Sequence, residues 1–168
     1  MYLPVFLIDD PKYPEYAYFL KAGIYFNQED LKNTLDNYLL ALKIAEKKGN
    51  QHVIAMCKNS IGILKAERVG QERGALRLFK ESLEFYNTLE DKTDYSHDYA
   101  VLLFSLSENY RRLNLLDSSS YYNAKGLDYC MEYNLVGMSP YFIYADGVNF
   151  FIKGFPKFLK SDNSNSLI

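Results

Sequence analysis

One helical pattern occurs three times in the sequence, and this recurrence limits the folds that the chain can adopt. Small residues align at Ala41, Ser82 and Gly126, with spacings of 41 residues (41 to 82) and 44 residues (82 to 126). A second small residue lies seven positions before each of them, at Thr34, Ala75 and Ser119, and an aromatic residue lies between the two in the first and second copies, at Tyr38 and Phe79. Internal repeats of about this length are typical of chains that stack one helical unit on the next.

A second helical pattern precedes each of these copies. Each of three segments has a small residue at its fifth position: Ala22 in 18 to 26, Gly62 in 58 to 66 and Ser107 in 103 to 111. A fourth copy begins at 143 to 151, where Gly147 is the small residue and Phe150 follows it. Where two helices cross, a small side chain on one leaves room for a large aromatic side chain on the other. The pattern therefore predicts helices that pack in pairs.

Turn-forming residues separate these helical segments. Gly49 and Asn50 end one helix, and the segment 69 to 74 links two others. A strand is not favoured, because apolar and polar residues do not alternate with a period of two over any useful length. We predict an all-α fold of seven or eight helices, at about 14 to 27, 31 to 48, 51 to 68, 73 to 90, 95 to 113, 117 to 134 and 139 to 153, with a short one after Pro156.

The composition is that of an ordinary globular chain and excludes several classes of function. Of the 168 residues, 48% are hydrophobic and 24% are charged, and the net charge of −2 gives no reason to expect direct binding to nucleic acid. No stretch approaches the roughly 20 apolar residues that a membrane span needs, and the N-terminal apolar run is too short for a signal peptide. We therefore expect a cytoplasmic chain without membrane contact, in which Cys57 and Cys130 are unpaired core residues.

The sequence lacks recognisable catalytic or cofactor-binding motifs. It has no glycine-rich phosphate loop, no Gly-x-Ser-x-Gly, no His-Glu-x-x-His and no Cys-x-x-Cys. Pairs of acidic residues fall in turns and at helix ends, where carboxylates cap helices or are solvated. We predict that the chain is not an enzyme and uses no cofactor and no metal.

The paired pattern resembles the tetratricopeptide repeat (TPR) family, whose unit has an aromatic residue, Leu-Gly or Leu-Ala and then Tyr on its first helix, and Ala, an aromatic residue and Ala on its second. The matching residues are Tyr18, Ala22, Tyr25, Thr34, Tyr38 and Ala41 in the first unit, Ile61, Gly62, Ala75, Phe79 and Ser82 in the second, and Leu106, Ser107, Tyr110, Ser119 and Gly126 in the third. The period is longer than the usual 34 residues and is similar to that of kinesin light chains and bacterial TPR regulators. In that variety a His often precedes an Ala by three residues, as His52 and His97 do here. Their shared repeat position gives both histidines a structural explanation, in place of a metal site.

The resemblance implies a right-handed α-solenoid of antiparallel helix pairs, with three full repeats and a partial fourth. The corresponding organisation is an N-terminal extension at 1–13, a TPR-like domain at 14–159 with repeats at about 14–50, 51–94, 95–138 and 139–159, and a flexible tail at 160–168. Because the partial repeat lacks a full second helix, we expect Phe150, Phe151, Phe155 and Phe158 to be incompletely covered.

By the same resemblance, the first helices line a concave groove that binds a protein or peptide. The groove positions that the family implies are Phe19, Phe26, Asn59, Phe104, Glu108, Arg111, Arg112 and Tyr144. Such a groove is aromatic with a polar centre, and the planar guanidinium of each arginine has several donors that suit a carboxylate or a peptide backbone. The competing interpretation is that these arginines lie at a solvated helix end and form local ion pairs.

Three roles for the chain remain open. The first is a binding scaffold, for example the sensing or docking region of a bacterial transcriptional regulator or signalling protein. The second is an accessory domain of an enzyme such as a histidine kinase. The third is a structural adaptor that forms a homo-oligomer through its C-terminal aromatic surface.

Overall fold

A computed structural model describes the backbone of residues 12–162 and the side chains of residues 12–154. That part of the chain contains seven α-helices, one short 3-10 helix (Thr93–Tyr95) and no β-strand. The α-helices are α1 (Pro14–Asn27), α2 (Leu31–Lys48), α3 (Gln51–Arg68), α4 (Glu72–Asn87), α5 (Ser96–Arg112), α6 (Leu116–Glu132) and α7 (Ser139–Asp162). None of these helices combines the length and the apolar character that crossing a membrane requires.

The structure confirms the all-α fold, the first six helices to within a few residues and the start of the seventh. The prediction of a separate eighth helix after Pro156 is wrong, because α7 continues without a break to Asp162. A proline inside a helix removes one backbone hydrogen bond, and a long helix can tolerate this loss since the bonds on either side remain. Residues 1–11 and 163–168, which include most of the predicted extension and tail, lie outside the described residues, as do the side chains of Phe155 and Phe158.

The chain divides into two compact units. The first ends at Glu90 and contains α1 to α4, and the second begins at Asp91 and contains α5 to α7. In unit 1, α1 packs on α2, α3 packs on α4, and α2 also contacts α3. In unit 2, α5 packs on α6, and α7 contacts both of them. Packing in adjacent pairs is thus confirmed, whereas the handedness of a solenoid and the number of repeats stay predictions.

Every connection between helices within a unit contains one residue with a left-handed backbone. These residues are Glu29 (φ 60°), Gly49 (φ 71°), Gly70 (φ 67°), Asn114 (φ 59°) and Asn134 (φ 52°). A single residue in this conformation ends a helix and reverses the chain within a few positions. Two of the helices that follow are capped by side chains, because Asp30 accepts a hydrogen bond from the backbone of Asn33 and Asn50 accepts one from Val53. Short turns with one left-handed residue thus bring each helix close to the one before it.

The cores of the pairs use small residues facing large ones, as the sequence predicts. An added Cβ on Gly62 would lie 2.6 Å from Cε1 of Phe79, which is 1% exposed. Gly126 likewise lies directly against the ring of Phe142, which is fully buried. The other predicted small positions of the three pairs are all buried, namely Ala22, Thr34, Ala41, Ala75, Ser82, Ser107 and Ser119. The helices can approach closely because these side chains leave room for the rings.

Buried polar side chains join the helices where the small residues are not alanine or glycine. In unit 1, the hydroxyl of Ser82 donates to the carbonyl of Ala55 over 2.8 Å. In unit 2, Ser107 donates to the carbonyl of Ser119 over 3.0 Å, and Asn149 on α7 donates to the Ser119 hydroxyl over 2.8 Å. Buried polar groups are stable when they are paired in this way.

Asn123 interrupts the aromatic pattern of the third copy and has a structural role of its own. Its side chain is 1% exposed, and its Nδ2 donates to the backbone carbonyl of Phe142 over 2.8 Å. The asparagine therefore fixes α7 against α6 with a hydrogen bond at a position where the other two copies use a ring.

The two cysteines are buried and unpaired, as predicted. Cys57 lies in a core cluster of unit 1 with Ala41, Ala45 and Val53. Burial raises the pKa of the Cys57 thiol to about 12 and also raises the pKa of Cys130. Both residues therefore pack as small neutral side chains at neutral pH.

Candidate functional site

The eight residues predicted to line a groove occur in both units. Phe19, Phe26 and Asn59 belong to unit 1, whereas Phe104, Glu108, Arg111, Arg112 and Tyr144 belong to unit 2. Phe104, Glu108 and Arg111 are half-buried, as are Phe19 and Phe26, so the two sets differ mainly in the exposed Arg112 and Tyr144 of unit 2.

The three predicted residues of unit 1 are largely engaged in packing. The ring of Phe19 lies 5.4 Å from that of Tyr38 and packs against the core cluster that contains Ala22. Phe26 is covered by the guanidinium of Arg68, which lies 5.4 Å from the ring centroid. Asn59 is only 8% exposed, and its Oδ1 atom has no hydrogen-bond partner among the described residues. Unit 1 therefore presents only the half-buried rings of Phe19 and Phe26 at these positions.

The predicted residues of unit 2 form a more open surface on α5 and α7. Phe104, Glu108 and Arg111 follow one another at intervals of four and three residues, which places them along one face of α5. The ring of Phe104 contacts that of Tyr141 on α7 edge to face, with 5.7 Å between their centroids. Tyr144 lies one turn further along α7 and is 74% exposed.

A paired charge lies at the centre of this surface. Nε of Arg111 donates to Oε1 of Glu108 over 3.1 Å, and Nη2 donates to Oε2 over 2.5 Å. About a quarter of each side chain is exposed. The hydrogen bonds with Glu108 raise the pKa of Arg111, and the nearby Tyr144 makes a smaller contribution in the same direction. A two-pronged bond of this kind fixes the plane of the guanidinium beside the aromatic side chains.

Arg112 and Tyr141 differ from what the sequence suggested. Arg112 is exposed, but it follows Arg111 directly and so points about 100° away from it around the helix. The structure therefore groups Arg111 and not Arg112 with Phe104 and Glu108. Tyr141 belongs to the surface although it was not predicted, and its position three residues before Tyr144 is the signal that would have found it.

The histidines lie at corresponding places in two helices, and the contacts described for them are with other residues. His52 and His97 are each the second residue of their helix, α3 and α5. Nδ1 of His52 lies 3.4 Å from the hydroxyl of Tyr16, and Nδ1 of His97 lies 3.8 Å from a carboxylate oxygen of Asp98. Among the described side chains, His, Cys, Asp and Glu do not gather in groups of three or more that could hold a metal ion.

Comparisons with family models, with curated proteins and with solved structures found no match to the chain. The likeness to TPR proteins therefore depends on the repeat residues quoted above and on the paired helices.

Proposed function

We propose that unit 2 binds a peptide segment of a partner protein on the surface formed by Phe104, Glu108, Arg111, Tyr141 and Tyr144, and that it does so without catalysing a reaction. The observation that supports this proposal is the position of the Arg111–Glu108 pair beside exposed tyrosines from a second helix. We call these five residues the α5–α7 surface.

The aromatic side chains would supply most of the contact with such a peptide. Tyr141 is 56% exposed and Tyr144 is 74% exposed, so both have ring area that a ligand can cover. Tyrosine is enriched at binding interfaces because it buries a large rigid ring while its hydroxyl stays hydrogen-bonded. Phe104 would form the floor of this surface, since its ring already packs against Tyr141 and Phe142.

Arg111 would add selectivity for an acceptor group on the peptide. A guanidinium has five N–H donors, and Glu108 accepts from Nε and Nη2. The remaining donors suit a carboxylate or a backbone carbonyl, because the guanidinium is already held in one orientation. We therefore expect a ligand with an apolar side chain next to an acidic side chain or a C-terminal carboxylate.

The resemblance to TPR proteins points in the same direction. In that family the first helix of each pair lines the ligand groove, and α5 and α7 are the helices that correspond to first helices here. A role as a binding scaffold also agrees with the lack of catalytic motifs in the sequence.

The test begins with selection of binding peptides from a display library, using the full chain as bait. A selected peptide is then labelled, and its affinity is measured by fluorescence anisotropy for the original chain and for Tyr144→Ser and Arg111→Ala. We expect each substitution to weaken binding by about tenfold or more, which corresponds to ~1.4 kcal/mol or more. Arg112→Ala should have a smaller effect, because Arg112 points away from Arg111.

Two substitutions outside the surface serve as matched controls. Tyr121→Ser removes another exposed tyrosine, which is on α6, and Arg77→Ala removes another exposed arginine, which is on α4. Neither should change the affinity. If Tyr144→Ser and Arg111→Ala both bind the selected peptides as the original chain does, the proposed site is wrong.

A further inference from the structure

The helix α7 has two faces with very different surroundings. Phe142, Ala145 and Asn149 are at most 1% exposed, and this face packs in unit 2. Roughly 140° further round the helix, at 100° per residue, lies a second stripe. It consists of Ile143, Gly147, Phe150 and Gly154, which we call the outer stripe of α7. Ile143 is 60% exposed and Phe150 is 81% exposed, although both are large apolar residues.

The corresponding face of α5 is covered by another helix. Leu103, Ser107 and Tyr110 precede Ile143, Gly147 and Phe150 by one constant interval in the sequence, and they are all buried. Ser107 donates a hydrogen bond to Ser119 of α6, and the ring of Tyr110 stacks on Tyr122 of α6 with 5.4 Å between centroids. The outer stripe therefore presents to solvent the positions that receive a second helix elsewhere in the same unit.

The outer stripe alternates between large and small residues, in the order Ile143, Gly147, Phe150, Gly154. An added Cβ on either glycine would meet no atom of the described residues within 4 Å, whereas Gly62 and Gly126 each have an aromatic ring packed against them. If two copies of α7 lie antiparallel about a twofold axis between residues 148 and 149, each large residue of one faces a small residue of the other. Phe150 then faces Gly147 of the second copy, and Ile143 faces Gly154 of the second copy.

We propose that a second copy of this chain covers the outer stripe, through antiparallel packing of the two α7 helices. The stripe is complementary to itself in this orientation, which is the condition for a symmetric dimer with the same surface on both partners. The contact repeats the fit of a ring against a glycine that the chain already uses at Gly62 and Gly126. Large exposed apolar side chains that lie together are also typical of protein–protein contacts.

This contact is separate from the α5–α7 surface. At 100° per residue, Tyr141 lies about 150° and Tyr144 about 90° round α7 from the centre of the outer stripe. A dimer and a bound peptide can therefore be tested independently with different substitutions.

The experiment is sedimentation velocity of the full chain over a wide range of protein concentrations. We expect a dimer for the original chain and a monomer for Gly147→Phe, because two phenylalanines would then face each other. We also expect a monomer or a much weaker dimer for Phe150→Gly. The double variant Gly147→Phe/Phe150→Gly should regain the dimer, since it exchanges the positions of phenylalanine and glycine and leaves the composition unchanged. Circular dichroism checks that each variant is as helical as the original chain.

The controls separate specific packing from non-specific association of an apolar surface. Tyr121→Ser, which removes an exposed aromatic residue of α6, should leave the dimer unchanged. If the apolar surface associated only non-specifically, the Gly147→Phe variant would associate more strongly than the original chain, and this result would overturn the proposal. An original chain that stays monomeric at every concentration would overturn it as well, and so would a double variant that fails to dimerise while remaining helical.

Discussion

Gly62 in unit 1 and Gly147 in unit 2 are interior helix residues at the same place in the repeat pattern, but their surroundings differ. Gly62 faces the buried ring of Phe79 on α4, whereas a Cβ on Gly147 would have no atom within 4 Å in the part of the chain that the structure describes. In unit 1 each first helix, α1 or α3, has a second helix packed on it. In unit 2, α5 is paired in this way with α6, while the matching face of α7 is open.

This difference shows that a repeat position does not determine burial by itself. The same pattern of small and large residues forms a core where a second helix is present, and it forms an exposed apolar stripe where none covers it. Five of the large apolar side chains exposed in the described residues lie on α7, namely Tyr141, Ile143, Tyr144, Phe150 and Phe151. Three predictions test such contrasts between buried and exposed positions, beginning with the largest effect.

The largest difference is expected between Phe79→Ala and Phe150→Ala. Phe79 is 1% exposed and fills the space next to Gly62, so its truncation leaves a cavity and should reduce the free energy of unfolding by about 3–5 kcal/mol. Phe150 is 81% exposed, so its truncation should change the stability of the monomer by less than about 0.5 kcal/mol. Urea unfolding followed by circular dichroism at low protein concentration measures both. Equal losses would show that Phe150 is covered in the monomer.

The next prediction compares Gly62→Ala with Gly147→Ala. Alanine favours a helix interior over glycine by about 1 kcal/mol at either position. At Gly62 the added methyl group would lie 2.6 Å from the ring of Phe79, and overpacking of this kind costs about 1–3 kcal/mol. We therefore expect Gly147→Ala to stabilise the monomer and Gly62→Ala to leave it less stable than the Gly147→Ala variant by about 1–3 kcal/mol.

Hydrogen exchange can assign each effect to its unit. Gly62→Ala should speed exchange of amide protons in α3 and α4, and Gly147→Ala should slow exchange in α7. A stabilising effect of Gly62→Ala would mean that Phe79 can move aside without cost.

The smallest of the three effects concerns a buried charge in unit 1, which contrasts with an exposed ion pair on α7. Glu15 is 2% exposed, and its carboxylate accepts hydrogen bonds from Lys48 over 2.7 Å and from Asn50 over 3.3 Å. Burial by itself would raise the pKa of Glu15, but these bonds lower it below the ordinary value of 4.5. By contrast, Lys153 on α7 pairs with Asp117, whose side chain is fully exposed.

Because the pKa of Glu15 is lower in the folded chain than in the unfolded chain, its contribution to stability is present above the unfolded value and is lost as the pH falls through the folded value. Glu15→Gln should therefore cost about 1–2 kcal/mol at neutral pH. It should cost less as the pH falls below about 4, since the carboxyl is then protonated in the original chain. Urea unfolding at a series of pH values tests this expectation, with Asp117→Asn as the exposed control. A penalty that did not change with pH would show that the charge of Glu15 has no role.

Much of the fold could be predicted because the repeat constrains it in several ways at once. The small residues Ala41, Ser82 and Gly126 recur at helical spacing next to aromatic residues, so helix positions and pairing followed from the pattern. The continuation of α7 past Pro156 could not be predicted in this way, since a proline either ends or bends a helix and local sequence does not decide which.

The candidate site was predicted less completely than the fold. Projection of the family's groove positions included Phe104, Glu108, Arg111 and Tyr144 of the proposed α5–α7 surface, but it also included Phe19 and Asn59, which are engaged in packing. It missed Tyr141, whose contact with Phe104 depends on how α7 lies against α5. A sequence spacing gives the face of one helix, whereas a site made by two helices depends on their relative position.

The sequence alone determined the first six helices, the start of α7 and the small residues through which the helices pair, because each of these features depends on neighbours within one or two turns. The tertiary structure decided which of the small residues have a large side chain packed against them. Gly126 contacts the ring of Phe142, whereas no described residue packs against Gly147, although both are glycines within helices. The reason is that the space beside a small residue on one helix is filled only by a side chain from another helix. The position of that other helix depends on contacts between residues far apart in the sequence.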